Sequence, residues 1–579
     1  MNVTHGLAQL QKEHVVLELE CIDRMYLNAY VPQLTSEAGI AAFCRGYLGH
    51  RFASTKQAVA MTKAFVKSIE AFIQREGMEL VRYKKGQRKD EVLQAKLRHI
   101  KKDEGVVFVG VAQEKVRVPR TTRKALPGGG TIPWIIYSTA MVNVYYFYCR
   151  DRDFGPFFLK FCSYFPYSAK LCLNGHEYLK CQLAQRGIAF EAMDNGLLTC
   201  ADLKAAQRIS DDLSDAKIDA FFRKWLARLP HPYSAQDRRA GYRYDLSVLQ
   251  AEFSLTQVWD RAVHGRCFFE EVIRENIDLG RPEQVQLIFA RKMQRKTADD
   301  GRCRTRIITE GVVPSLHVYY KNTHLKQYHK EGRGLRTETT INNPYDFGVG
   351  RRLKNLAALR QIGFAANRRV LQVEQLTHDC YIGAEAFDKL QKPAEVDGQH
   401  VPALPFGQER VQALLAVLVL FCLQPEGFRN RQLRPLLAQL LGVPPSQITP
   451  GRISYDLRRL HLHGLIERIP KTHRYRLTPF GLKTALFYNR AYQRLLRRGL
   501  SEIHDPRIAQ SSTLAIQLDK LQKTLDAYVT EKMAARNLIC LQPASGLKNS
   551  RVAPGHLQIQ MTLRSDASSR NHRSGKSHC

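Results

Sequence analysis

Residues able to do chemistry gather in four places between positions 140 and 350. The stretch Asn174-Gly175-His176-Glu177-Tyr178-Leu179-Lys180 begins like a His-Glu-x-x-His helix, in which two imidazoles one turn apart grip a metal ion. Lys180 stands where the second histidine belongs, so no metal pair is expected. Glu191-Ala192-Met193-Asp194-Asn195-Gly196 offers two carboxylates, the hard oxygen donors that Mg2+ needs for phosphodiester chemistry. Asp-Asn-Gly is also a strong turn signal, and the turn is the preferred reading. Leu325–Ile341, LKQYHKEGRGLRTETTI, sets Lys326, His329, Lys330, Arg333 and Arg336 around Gly332 and Gly334. Glycine permits close backbone approach, and the cations suit phosphate. Finally, Tyr145, Tyr146, Phe147 and Tyr148 lie near Phe154, Phe157, Phe158 and Phe161, with Arg150, Arg152 and Lys160 among them. Such a mixture can stack unpaired bases, but Pro156 would interrupt a central strand, so these aromatics read first as core. Walker A, G-x-S-x-G and G-x-G-x-x-G patterns are absent. Catalysis is left open and no cofactor is expected, apart from Mg2+ if carboxylates act in a nuclease.

The charge balance narrows the partner. Among 579 residues, 88 Lys and Arg face 54 Asp and Glu, a formal net charge of +34. A surplus of that size favours a polyanion, because each neutralised phosphate releases condensed counterions. The start, MNVTHGLAQLQKEHVVLELE, lacks the apolar core of a secretory signal. The longest apolar stretch, Val411–Leu423, is shorter than the ~20 residues of a membrane span, so no membrane partner is expected. The 13 cysteines are scattered and form no C-x-x-C; Cys162, Cys172 and Cys181 lack zinc-knuckle spacing. Reduced thiols in a cytoplasmic, nucleoid-associated protein are the expectation.

The elements that must carry these residues predict an α+β multidomain chain. Residues 1–130 read as mainly helical, with a helix over Lys56–Arg75, a basic run at Lys84–Lys89, a helical stretch at Glu91–Lys101 and a strand at Gly105–Val111. Pro127 and Gly128–Gly130 read as a flexible joint. Residues 131–390 form a mixed, aromatic-rich centre. Strands are expected at Val142–Cys149, Phe157–Cys162, Leu316–Lys321 and Leu335–Ile341, with helices at Asp215–Leu229, Asp245–Asp260 and Phe268–Asn276. Prolines and glycines mark 391–407 as a linker. A compact domain follows over 408–498, then a helix over 499–537 and a disordered basic tail over 538–579.

Within 408–498 the periodicity predicts helices at Val411–Leu423, Asn430–Leu441 and Pro450–His463, with Gly442 ending the second. Thr449 can cap the third helix and Pro450 suits its first position. Ile453, Leu457 and Leu460 share an inward face, while Tyr455, Arg458 and Arg459 lie opposite, flanked by Arg452 and Ser454. Strands Leu465–Ile469 and Arg474–Thr478 then make a hairpin, with a basic tip from Lys471 to Arg476, and a helix Pro479–Leu496 closes the unit. Three helices, a two-stranded hairpin and a basic face resemble the winged-helix superfamily, most closely the bacterial MarR-like regulators. The stretch ISYDLRRLHLHGLIERIPKTHRYRLTPFG carries that likeness. The resemblance implies a major-groove helix at 450–463 and a hairpin wing. It makes Arg452, Ser454, Tyr455, Arg458, Arg459, Lys471, His473, Arg474 and Arg476 the DNA contacts. MarR-like proteins are small dimers, whereas this unit sits on a large body, which argues against simple repression.

Two further likenesses bear on the centre. The basic run and following Arg/Glu strand of 325–341 resemble rolling-circle replication initiators, which need a metal-holding histidine pair and a tyrosine nucleophile. No His-x-His lies in this region; His461-Leu462-His463 falls on the candidate reading helix. FGPFFLKFCSYFPY, GYRYDLSVLQAEFSLTQV and GRGLRTETTINN resemble a family of long bacterial proteins without an assigned activity. The sequence therefore predicts a protein that reads duplex DNA, regulatory or attached to mobile-element or replication functions. A metal-dependent nuclease or strand-transfer enzyme is the alternative, and RNA or single-strand binding a second. Oligomeric state is left open.

Overall fold

In the computed structural model, residues 6–84, 103–279, 304–419 and 427–492 are described, less 126, 311, 312, 331, 379, 397 and 471; scattered positions in 86–96 and 516–531 are added. Residues 1–494 make one compact unit and 495–579 a second, in which the described positions, within 516–531, are helical. The expected tail, 538–579, and most of the expected helix 499–537 lie outside the described residues.

The first unit is mixed α/β and is organised by one 11-stranded sheet. Its strands are β1 (Val15–Tyr30), β2 (Leu80–Arg82), β3 (Gly105–Ala125), β4 (Thr131–Asp151), β5 (Gly155–Cys162) and β6 (Ala169–Asn174), then β9 (Asp245–Trp259), β10 (Arg304–Glu310), β11 (Val313–Tyr320), β12 (Thr323–Lys330) and β13 (Gly334–Ile341). β7 (Phe190–Met193) and β8 (Gly196–Cys200) form a separate hairpin. The sheet order is β10-β11-β12-β13-β9-β1-β6-β5-β4-β3-β2, antiparallel except where β2 runs parallel to β3. The helices are α1 (Leu7–His14), α2 (Glu37–Ala42), α3 (Thr55–Arg75), α4 (Gly175–Gln185), α5 (Leu203–Asp211), α6 (Asp215–Arg228), α7 (Ala262–Leu279), α8 (Leu356–His378) and α9 (Ala384–Gln391).

Three expectations change. Residues 1–130 are not mainly helical, because β1 sits at the centre of the sheet and β3 runs for 21 residues. Asp245–Trp259 is a strand, not a helix; it lies between β13 and β1, and both its faces are buried. Pro127–Gly130 is no joint but the turn of a hairpin, since Ala125 pairs with Thr131. The aromatic strands are core: Tyr145, Tyr146, Phe147 and Tyr148 are each at most 5% exposed, which leaves no face for stacking bases. Leu, Phe and Trp side chains of α3 and α6 close over the sheet, each contributing ~1.5–3 kcal/mol by burial.

The long helix α8 bridges to the C-terminal part of the unit. Leu359 and Phe364 join the sheet core, while Val373 joins a second core with Leu414, Leu418, Leu433, Leu437, Ile453, Leu457 and Leu460. That core is built from α10 (Glu409–Val419), α11 (Asn430–Leu440), α12 (Pro450–Leu462), a hairpin of β16 (Ile466–Arg468) and β17 (Tyr475–Leu477), and α13 (Pro479–Arg490). In the stretch expected as a linker, β14 (Ala394–Val396) pairs with β15 (Gln399–Val401), and Val401 and Leu404 are buried. Gly481 meets the hairpin so closely that a Cβ there would run into the Leu465 carbonyl oxygen.

Candidate nucleic-acid interface and a buried charged cluster

Helix α12 is built to present one polar face. Thr449 Oγ1 accepts from Arg452 N at 3.3 Å, and Pro450 starts the helix at a position whose N–H would have no partner. Ile453, Leu457 and Leu460 are buried against α10 and α11. The helix has a single carboxylate, Asp456, and it is turned inward to Arg410 at 2.6 Å. Toward solvent stand Arg452, Ser454, Tyr455 and Arg458, so the exposed face carries cations and no acid. Ser454 Oγ accepts from Asn430 Nδ2 at 2.9 Å, and Arg458 Nη2 donates to Gln399 Oε1 at 2.8 Å.

Arg459 departs from the expected reading face. It is buried and donates to the Pro402 and Ala403 carbonyl oxygens, because the segment preceding α10 lies across that side of α12. His463 Nε2 is bonded to the same Pro402 oxygen at 2.9 Å, and burial lowers its pKa. Arg459 therefore anchors a loop and is not placed to touch bases. On the hairpin, His473 and Arg476 are exposed, and Arg476 pairs with Glu467 at 2.5 Å. Arg474 is half-buried, its Nη2 donating to Gly427 O at 3.0 Å. Lys471 lies outside the described residues.

A further basic surface escaped the sequence reading. β5 accompanies β4 only from Val144 onward, so Gln113–Ala125 and Thr131–Asn143 continue as a two-stranded ribbon. Lys115, Arg117, Arg120, Arg123 and Lys124 are exposed on it. Its one acid, Glu114, is held by Lys160 at 2.8 Å and Lys89 at 3.0 Å and by the Tyr146 hydroxyl, and these contacts take its pKa down to about 2 despite burial. The run KVRVPRTTRK carried the signal, in cations recurring through an extended segment.

The residues of 325–341 divide. Lys326 lies over the Tyr328 ring at 4.0 Å, opposite Glu338 in the strand register. His329 packs edge-on against Phe269, with its pKa lowered by burial, and Lys330 approaches Asp194 at 3.7 Å. Arg333 is half-buried, and its carbonyl accepts from Trp259 N at 3.0 Å. Arg336 is not a surface phosphate ligand: it is 0% exposed, because the sheet is covered on both faces at that point. Glu191 lies in β7, and Asp194-Asn195 form the turn before β8, the preferred reading of Asp-Asn-Gly.

Arg336 is the hub of a buried network. Its Nη2 donates to Asp23 Oδ2 at 2.5 Å and to His176 Nε2 at 2.8 Å, and its Nη1 donates to Asn195 O. His176 Nε2 also lies 2.9 Å from Ser254 Oγ, and burial with the adjacent guanidinium holds its pKa well below the usual range. Between Ile22 and Met25, β1 carries two residues, Asp23 and Arg24, opposite the single residue Glu252 of β9. This bulge aims both at the network. Arg24 holds Glu252 through two bonds at 3.0 and 3.2 Å. Glu338 accepts from the Tyr328 hydroxyl at 3.2 Å; burial and the nearby Asp23 carboxylate raise its pKa to about 7. Asp23, Glu252 and Glu338 thus place carboxylate oxygens within 4.8 Å of one another, from three neighbouring strands. From this group the sequence singles out Arg336, His176 and Asn195, each in a different motif; an Asp-Arg pair inside the apolar strand VVLELECIDRMYLNAY was the available sign of Asp23 and Arg24.

Among the described residues, no helix is long and apolar enough to cross a membrane. Comparison with models of protein families, with curated proteins and with solved structures finds no match.

Proposed function

We propose that the protein binds duplex DNA through its C-terminal helices and hairpin, acting as a winged helix within a regulatory, mobile-element or replication setting. The observation that carries this reading is the exposed face of α12, with Arg452, Ser454, Tyr455 and Arg458 outward and the helix's only acid buried. In that geometry α12 lies in the major groove, where an arginine can take both acceptors of a guanine edge. Arg476 and His473 of the hairpin then lie along the backbone, and the net charge of +34 supplies affinity without sequence preference. The basic ribbon of β3 and β4 adds positive surface to the same unit. Selection from a random duplex library tests the reading: a recovered consensus, with weaker binding to single strands and to duplex RNA, supports it. Equal retention of all three nucleic acids contradicts it.

A second reading is favoured by one observation, the convergence of Asp23, Glu252 and Glu338 beside Tyr328. Carboxylate oxygens in this number suit Mg2+, with the Tyr328 phenol bonded to Glu338, but the ion would have to displace Arg336 from buried Asp23 and Arg24 from buried Glu252. Mg2+-dependent nicking lost in both Asp23→Asn and Tyr328→Phe would support it. Nicking that persists in those variants would refer the activity elsewhere.

A further inference from the structure

At the end of the sheet, remote in sequence from the DNA-binding elements, two histidines face one carboxylate. His14 closes α1, Asp260 follows β9, and His264 stands in the first turn of α7. His14 Nδ1 lies 3.0 Å from Asp260 Oδ2, and His264 Nδ1 lies 2.7 Å from Oδ1. One ligand atom from each residue falls within 4.8 Å of the other two. The imidazole rings lie 3.7 Å apart between centroids and are tilted by 35°, with both Nδ1 atoms on the Asp260 carboxylate.

The backbone holds this arrangement before any ligand arrives. Asp260 N donates to His14 O at 2.9 Å, tying the strand end to the end of α1, and His264 N donates to Arg261 O at 3.2 Å. Gly265 lets α7 press against Trp259, whose indole would lie 2.9 Å from a Cβ at that position. Trp259, Phe268, Phe269 and Leu7 are buried beneath and fix the three elements. The ligating side chains are 27%, 35% and 19% exposed, enough for an ion to reach them from solvent.

We propose that His14, Asp260 and His264 form a binding site for a transition-metal ion of the zinc class. Such an ion bonds imidazole nitrogen at ~2.0–2.1 Å and carboxylate oxygen at ~2.0–2.2 Å, and at tetrahedral angles the two nitrogen–oxygen separations would open to about 3.3 Å. Two imidazoles select a borderline ion and disfavour Mg2+ and Ca2+, which prefer the oxygen donors of the separate carboxylate trio. Three protein ligands leave a coordination position for water, the pattern of an exchangeable site. Where an Nδ1–H donates to Asp260, metal binding displaces that proton to solvent.

The test uses the full chain, stripped with chelator and titrated with ZnCl2 by calorimetry, then with CoCl2 by absorption. The wild type is expected to bind one equivalent more than His14→Ala, His264→Ala or Asp260→Asn, while His400→Ala, at an exposed position, keeps it. The Co2+ spectrum should show d–d bands that vanish in the three variants, without sulfur-to-metal charge transfer. Circular dichroism melts in chelator check folding. If an alanine variant does not fold, His14→Gln and Asp260→Asn, which keep hydrogen-bonding capacity, decide the outcome. Unchanged stoichiometry in folded variants, or a thiolate spectrum, overturns the proposal.

Discussion

Glu374 is fully buried in α8 and carries an unusual burden. Gln327 Nε2 donates to its Oε2 at 3.0 Å, but its Oε1 and the Gln327 Oε1 are buried without a partner among the described residues. Burial raises its pKa from 4.5 to about 8, against the single bond from Gln327. The folded state therefore binds a proton that the unfolded chain releases above pH 4.5, and stability falls as pH rises from there through about 8. From pH 5 to pH 8 the linkage amounts to roughly 3 kcal/mol, with relaxation reducing it. Glu374→Gln removes the titration, and its amide can donate to the open Gln327 oxygen. The variant should match wild type near pH 5 and exceed it at pH 8, with a Tm gap of several degrees opening between the two. Calorimetric melts at pH 5, 6.5 and 8 read this directly. A gap independent of pH, or a variant less stable at pH 8, would refute the reasoning about a proton held in the folded state.

Four other outcomes follow from the packing and the surfaces. Arg459→Ala should lower the melting temperature rather than only weaken DNA binding, because the Ala403 carbonyl loses its arginine donor while Pro402 O keeps only His463; the cost is about 1–3 kcal/mol by calorimetry. Gly481→Ala should cost a similar ~1–3 kcal/mol, since its Cβ cannot clear the Leu465 carbonyl without moving α13 from the hairpin. Asp151→Ala should cost ~1–3 kcal/mol, because it leaves buried Trp225 Nε1 and Phe154 N without their acceptor, while Lys224 keeps Glu104 at 3.1 Å. Replacing Arg117, Arg120, Arg123 and Lys124 by Gln should leave the melt unchanged, and any DNA affinity lost should be lost equally across sequences.

How far the sequence could be read depended on how many faces of an element are covered. Helices α3 and α6 each bury one side, so their periodicity marked them, and α12 was bounded by Thr449, Pro450 and Gly464. β9 is buried on both sides, and alternation vanishes there; Leu, Gln, Ala and Glu then imitate a helix. β1 differs: its burial alternates along most of its length, and the Asp23-Arg24 pair at its bulge breaks that pattern. The candidate site followed the same logic. Arg452, Tyr455 and Arg458 could be placed from a helical wheel, but Arg459 could not, because the loop at Pro402 that covers it is a tertiary contact. Asp23, Glu252 and His176 come from elements over 70 residues apart in sequence and meet only through sheet order.

The central claim rests on two exposed guanidinium groups, and removing them is its most direct test. Affinity for duplex DNA would be measured across a salt series for wild type and for Arg452→Ala with Arg458→Ala. With the melt unchanged, the double variant should bind at least about tenfold more weakly. If both arginines contact phosphate, the slope of log K against log salt should shrink by about 1.8; if they contact bases, the loss should fall on the preferred sequence alone. Affinity, slope and preference all unchanged in a folded variant would contradict recognition through α12.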